Sequence, residues 1–219
     1  FGPVPSRRLG ASLGVDICPM KTCTFDCVYC QLGPTTRKTL ERCPYIEASE
    51  VLKELEAKRE AIERADWITV TASGEPTLNS ELGEIVRGIR RLTQKPLALL
   101  TNGSLFWLPE VREAASGVDL VIPSLDAGRQ ETFEAINRPV EGLDLRLVVE
   151  GLLALRREFR GQIWLEVMVV EGLNDSDEEL AHLRRWIERL SPDRVQINAP
   201  VRPPQEAWVK PPSEERLRE

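Results

Sequence analysis

Short apolar runs alternate along the chain with longer stretches in which apolar residues recur every three or four positions. The runs Ser12–Ile17, Trp67–Thr71, Leu97–Thr101, Val118–Ser124, Gln162–Val170 and Arg194–Asn198 predict six strands. The stretches between them predict helices at about Ala48–Ala65, Ser80–Thr93, Pro109–Ala115 and Leu143–Phe159. A short helix is expected near Gln130–Ile136, and another from Asn174-Asp175-Ser176 to Leu190. Ser49 is the expected N-cap of the first helix, whose apolar face is Val51, Leu52, Leu55 and Ile62. Residues 1–11, with Pro3 and Pro5, read as irregular, and residues 31–46 read as loop.

Strands alternating with helices argue for a parallel α/β sheet. Six βα units point first to a partial (β/α)6 TIM-like barrel, with a doubly wound open sheet as the alternative. Residues 1–200 are expected to form one core domain, and the proline-rich, charged residues 201–219 an extension. In such sheets ligands bind at the C-terminal ends of the strands. Polar stretches fall at those ends: Ser73-Gly74-Glu75-Pro76, Thr101-Asn102-Gly103, Ser124-Leu125-Asp126, Glu171-Gly172-Leu173-Asn174 and Asn198-Ala199-Pro200.

The 219 residues suffice for one large domain with a substantial core. No apolar run approaches a membrane span, so no membrane partner is expected. No signal-peptide pattern is visible, which favours a cytoplasmic location, and the start at Phe1 suggests processing or trimming. A net charge of −6 disfavours a generally basic surface that coats nucleic acid. Local basic groups at Arg7-Arg8, Arg37-Lys38 and Arg202 remain as an alternative RNA-facing rim. The single histidine, His182, sits inside a predicted helix, which disfavours Cys2His2 zinc fingers and Ser-His-Asp hydrolysis. Trp67, Trp164 and Trp186 read as core.

All five cysteines lie in the first fifth of the chain, at Cys18, Cys23, Cys27, Cys30 and Cys43. An odd, clustered set is a metal site in a reducing compartment rather than a secreted disulfide framework. Cys23, Cys27 and Cys30 are spaced C-x3-C-x2-C, with no fourth cysteine at comparable spacing. Three thiolates can hold three corners of a cubane iron–sulfur cluster and leave the fourth iron open for chemistry. A zinc site completed by Cys18 or Cys43, or a set of buried free thiols, is the blander alternative. Cys18 and Cys43 themselves read as structural thiols.

The stretch CTFDCVYC at Cys23–Cys30 resembles the cysteine signature of the radical S-adenosylmethionine (radical SAM) enzymes, with the aromatic Tyr29 before the last cysteine. SGEP at Ser73–Pro76 resembles that family's Gly-Gly-Glu-Pro motif, with Ser73 in place of the first glycine. The resemblance implies a [4Fe–4S] cluster on Cys23, Cys27 and Cys30, with S-adenosylmethionine on its open iron. It implies that Gly74-Glu75-Pro76 faces the cofactor's ammonium, with Glu75 a candidate for charge assistance. It places Tyr29 near the cluster with its backbone at the adenine edge. Ser124, Asp126 and Asn102 would sit near the ribose or the methionyl carboxylate, and Ile197–Ala199, including Asn198, beside the adenine. Glu166 and Met168 lie on the fifth strand, with the facing of each left open. The implied activity is reductive cleavage to a 5′-deoxyadenosyl radical that takes hydrogen from a substrate.

The stretches FGPVPSRRLG and KTCTFDCVYCQLG are similar to small radical SAM proteins akin to the wyosine-forming tRNA enzymes, although the second cysteine triplet of those enzymes is missing. IWLEVMVVEGLND loosely resembles the glycyl-radical-enzyme activases. The substrate is therefore open among small molecule, RNA and protein, and a reductant such as flavodoxin or ferredoxin is implied. A non-catalytic iron–sulfur carrier and a binding barrel that has lost its chemistry are the readings from other classes.

Overall fold

A computed structural model describes residues 1–6 and 8–218. Strands β1 (Val4–Ser6) and β2 (Gly10–Asp16) form an antiparallel hairpin. The sheet continues in parallel through β5 (Trp67–Thr71), β6 (Leu97–Thr101), β7 (Leu120–Pro123), β8 (Gln162–Met168) and β9 (Arg194–Asn198). It curls into a half-barrel, the partial TIM-like arrangement expected from the six alternating units. A separate parallel pair joins β3 (Thr22–Cys23) to β4 (Arg37–Lys38).

Helices follow the strands, and their apolar positions explain why they lie against the sheet. In α3 (Leu82–Leu92), Leu82, Ile85, Val86 and Ile89 recur at helical spacing and are buried. Each such side chain contributes about 1.5–3 kcal/mol by leaving water. α6 (Leu145–Glu158) starts at Asp144, whose carboxylate accepts from Leu147 N–H at 2.8 Å. α7 (Asp177–Leu190) is capped in the same way by Ser176. Two helices of eight residues or fewer, α4 (Pro109–Ala115) and α5 (Gln130–Asn137), complete the layer around β7.

The strands are apolar on both faces because each face has something to cover it. Leu13, Val15, Ile68, Val70, Leu97, Leu99, Val121 and Leu165 pack outward under the helices. On the opposite face, Ala98, Leu120 and Ile122 pack with Leu9, and Trp67, Leu100 and Trp164 close around them. Leu9 thus fills the inside of the half-barrel below the strand ends. Arg8 forms an ion pair there with Glu166 on β8. Glu166 and Met168 share one face of β8, opposite the outward-packed Leu165 and Val167.

Several local expectations need correction. The first helix is two, α1 (Ala48–Ala57) and α2 (Arg59–Arg64), broken at Lys58. Ser49 is not its N-cap: Glu47 holds that position, and Ala48 N–H donates instead to Glu81 Oε2 at 2.5 Å. The first eleven residues hold β1, and residues 31–46 hold β4. Val118 and Asp119 precede β7, and Val169 and Val170 follow β8. The segment after residue 200 is bonded to the rest of the chain: Glu206 N–H donates to Val28 O at 3.1 Å, and Lys210 O accepts from Glu171 N–H at 3.0 Å. A last short helix, α8 (Glu214–Arg218), is tied down by Arg216 to Asp177 at 2.6 Å.

Candidate metal centre

The cysteine loop leaves the end of β2 and is stitched to the end of β5. Lys21 N–H donates to Ser73 O at 2.8 Å, and Glu75 N–H donates to Thr22 O at 3.0 Å. Gly74 makes this approach possible. A Cβ there would sit 2.0 Å from the Thr22 carbonyl oxygen, so no other residue fits without moving the backbone. Ser73 adds a tie of its own, because its hydroxyl and N–H both donate to the Asp16 carboxylate that ends β2.

Each of the three clustered sulfurs faces a nitrogen donor from another part of the chain. Cys23 Sγ accepts from Asn102 Nδ2 at 3.5 Å and from Phe25 N–H at 3.4 Å. Cys27 Sγ accepts from Asn137 Nδ2 at 3.4 Å. Cys30 Sγ accepts from the Lys21 ammonium at 3.1 Å. Such donors stabilise anionic sulfur. Burial pushes the Cys23 thiol up to about 11, and the nearby Glu75 carboxylate adds to the rise. Burial also pushes Cys27 up, and Cys18 up to about 12. A metal held by these sulfurs would displace protons, since the ligand form of cysteine is the thiolate.

Among the described residues, no group of three or more His, Cys, Asp or Glu is disposed to hold a single metal ion. Donor-lined sulfurs at the mouth of the barrel fit an anionic cluster, whose thiolate ligands need such hydrogen bonds. Cys18 is buried and donates to Thr22 O at 3.7 Å. Cys43 is half-buried, and its backbone bridges to Asn79.

Of the expected cofactor residues, Glu75, Asn102 and Asp126 bond to this loop, and both carboxylates are turned inward. Glu75 is 1% exposed. Its Oε1 accepts from Thr77 N–H at 3.0 Å and from the Thr77 and Thr101 hydroxyls at 2.5 Å, and its Oε2 accepts from Asn102 N–H at 2.8 Å. The carboxylate thus caps the turn Pro76–Leu78 and binds the end of β5 to the end of β6. All four of these bonds are made within the chain, so the carboxylate is engaged before any ligand arrives. Asp126 is likewise buried, accepting from Met168 N–H at 2.8 Å, the Tyr29 hydroxyl at 2.5 Å and Asn137 Nδ2 at 2.9 Å. Burial raises the Asp126 pKa, and these three donors oppose the rise. Its side chain holds the cysteine loop through Tyr29.

Asn102 faces the loop, donating to Thr24 Oγ1 at 2.8 Å as well as to Cys23. Ser124 is half-buried at the end of β7, where it bridges to Glu166. Asn198 ends β9, and its carbonyl accepts from Val169 N–H at 2.8 Å. Ile197 points the other way and is 55% exposed. His182 lies on α7 against Gly128, and Trp186 donates to the Gly128 carbonyl at 3.0 Å. The proposed basic rim is largely engaged. Arg37 pairs with Glu41 at 2.8 Å, Lys38 donates to Arg138 O at 3.2 Å and Arg202 to Gln31 at 2.8 Å. Arg8 lies inside the barrel with Glu166, and Arg7 lies outside the described residues.

Two residues of the centre were not singled out by sequence reasoning. Lys21 precedes the loop without a motif of its own, and Asn137 comes from α5, 110 positions away from Cys27.

Comparison with known proteins agrees with this arrangement. The family model described as the radical SAM superfamily matches residues 17–184. A "GTPase Obg" of Brachyspira hyodysenteriae is 42% identical, over 90% of this chain and 29% of the relative. The UPF0026 protein MJ1312 of Methanocaldococcus jannaschii is 37% identical, over 97% of this chain and 66% of its own. The UPF0026 protein slr1464 of Synechocystis is 39% identical, over 93% and 76%. The chain thus spans from under a third to about three quarters of the length of these relatives. Among solved structures, a radical SAM methyltransferase from Sphaerobacter thermophilus superposes with a TM-score of 0.66 at 20% identity, covering 94% of this chain and 61% of that one. TYW1 with a lysine-pyruvate adduct bound gives 0.59 at 16% identity, over 81% and 61%. At these identities the superpositions speak for the fold alone. The match over most of the chain, at a site with the cysteine triplet at its centre, establishes the family: the chain belongs to the radical SAM superfamily, whose members use a [4Fe–4S] cluster and S-adenosylmethionine.

Proposed function

We propose that this chain is the catalytic core of a radical SAM enzyme, with Cys23, Cys27 and Cys30 holding the cluster. The observation that carries the reading is that each of these sulfurs meets a side-chain nitrogen donor, from Asn102, Asn137 and Lys21. When bound, the cluster supplies the electron that cleaves S-adenosylmethionine to methionine and a 5′-deoxyadenosyl radical, which takes hydrogen from substrate. The chain's own residues position and enclose. The backbone of Gly74-Glu75-Pro76 lines the cofactor side of the loop, and Asn102, Ser124 and Asn198 stand at neighbouring strand ends. Tyr29, held by Asp126, fixes the loop between Cys27 and Cys30. The half-barrel and residues 201–218 limit water at the radical.

The core extends over residues 1–200 and residues 201–219 are an extension, of which Glu206 reaches the cysteine loop at Val28. A low-potential one-electron donor of the flavodoxin or ferredoxin type serves it in the cytoplasm. No helix among the described residues is long and apolar enough to cross a membrane. The substrate enters on the open side of the mouth, and its class stays open among small molecule, RNA and protein. The test is EPR spectroscopy of the anaerobically reconstituted, reduced protein. Addition of S-adenosylmethionine should change the cluster signal, as expected for a ligand on the open iron. An unchanged signal would mean that the fourth corner is closed and that the protein is an electron carrier.

A further inference from the structure

Lys21 is 6% exposed, yet among the described residues its ammonium has a single hydrogen-bond partner, Cys30 Sγ at 3.1 Å. Among the described residues, no carboxylate lies within ion-pair distance of it. The Asp26 carboxylate interacts with its charge from beyond that distance. A buried cation is costly unless an opposite charge is in contact with it, and the group in contact is sulfur, which is negative once the loop holds metal. Lys21 has φ +57°, a left-handed conformation that glycine adopts freely and lysine does not.

The backbone around it is pinned without help from that end group. Lys21 N–H donates to Ser73 O at 2.8 Å, and Lys21 O accepts from Thr36 N–H and Arg37 N–H, both at 3.1 Å. The ammonium therefore points at Cys30 because the turn aims it there, so the side chain can be changed while the loop stays in place.

We propose that Lys21 is a charge partner of Cys30 that raises the reduction potential of the cluster, so that the one-electron reduced form is reached by a biological donor. The inference rests on the reading of Cys23, Cys27 and Cys30 as cluster ligands. Reduction adds one negative charge to the cluster and its thiolates. A fixed cation in contact with one thiolate stabilises the more negative form more than the less negative one, and little solvent screens it. Asn102 and Asn137 offer the other two sulfurs only neutral amide dipoles, so Lys21 is the lever of full charge among the three. Lysine acts here as a compact point charge, a role arginine can share and methionine cannot.

The test is an anaerobic redox titration followed by EPR, with iron counted per chain, on the reconstituted wild-type protein, Lys21→Met and Lys21→Arg. Lys21→Met keeps the length and removes the charge. The expected result is equal iron in all three. At the wild-type midpoint, the reduced-to-oxidised ratio of Lys21→Met should fall about tenfold, equivalent to 59 mV for one electron. Lys21→Arg should stay within about twofold of wild type, since it keeps the cation. Loss of the cluster from Lys21→Met alone, with Lys21→Arg loaded, would also support the proposal, because the two differ in charge. Identical titration of Lys21→Met and wild type would overturn it, as would loss of the cluster from both variants. A wild-type chain that takes up no iron would overturn the reading of the site itself, and the role of Lys21 with it.

Discussion

The side-chain amide of Asn137 joins Cys27 to Asp126, donating to Cys27 Sγ at 3.4 Å and to Asp126 Oδ2 at 2.9 Å. An ionised carboxylate can only accept, so Asp126 fixes which end of the amide faces the sulfur. Asn137→Ala removes both bonds at a buried position and should cost about 1–3 kcal/mol. Urea unfolding of the metal-free protein measures that loss. The same variant should release its iron to a chelator faster than wild type, because one sulfur loses its donor. Unchanged stability and unchanged iron release would show that the amide does not hold the loop.

Gly74 sets how closely the cysteine loop lies on the end of β5. Gly74→Ala should cost about 1–3 kcal/mol, as overpacking does, because the new methyl meets backbone that cannot rotate away. Reconstitution should also yield less iron per chain, since the displaced segment carries Thr22 and Cys23. A variant that loads fully and melts with wild type would contradict the contact.

How much of this was legible in the sequence depends on the range of the interactions involved. The six parallel strands were visible because both of their faces are apolar, so each stands out as a run. β1 was hidden by Pro3 and Pro5 and is three residues long. β4 is two residues long and exists because Cys23 lies beside Lys38. The break at Lys58 follows no glycine or proline. The cap of α1 was misread because its first free N–H is taken by Glu81, which lies 33 positions away. In the site, the cysteine triplet and Gly74-Glu75-Pro76 were legible as local motifs. The inward turn of Glu75 and Asp126 was not, because their donors Thr101, Asn102, Asn137 and Met168 come from other strand ends and from α5. Lys21 carries no signal short of its backbone conformation.

Glu75 is expected to act on stability before it acts on the cofactor. Glu75→Ala leaves two N–H groups and two hydroxyls without their acceptor and should cost about 3 kcal/mol. Glu75→Gln keeps the shape but turns an NH2 toward existing donors, and should cost about 2 kcal/mol. Thermal melts of the metal-free proteins test this. A Glu75→Ala protein as stable as wild type that fails only to bind S-adenosylmethionine would return the carboxylate to a direct cofactor role.

Glu179 gives the fold a specific acid dependence. Burial alone would raise its pKa, but the Arg129 guanidinium at 2.7 Å and the Gly128 N–H at 2.5 Å outweigh that and hold it below the ordinary glutamate value. A depressed folded pKa contributes stability that is fully present above the unfolded value of about 4.3 and is lost as pH falls through the folded value. Glu179→Gln should therefore lose about 2 kcal/mol at neutral pH and show a shallower decline below about pH 4.3. Urea midpoints measured across that range check it, and parallel declines for the two proteins would contradict the assignment.

The central claim is that Cys23, Cys27 and Cys30 hold a cluster that activates S-adenosylmethionine. Its most direct measurement is the formation of 5′-deoxyadenosine and methionine by the reconstituted protein under a strong reductant, beside Cys27→Ala treated identically. The account predicts both products in equal amounts from wild type and none above background from Cys27→Ala. A fully loaded wild-type protein that forms neither product, or a Cys27→Ala protein that forms both, would contradict it.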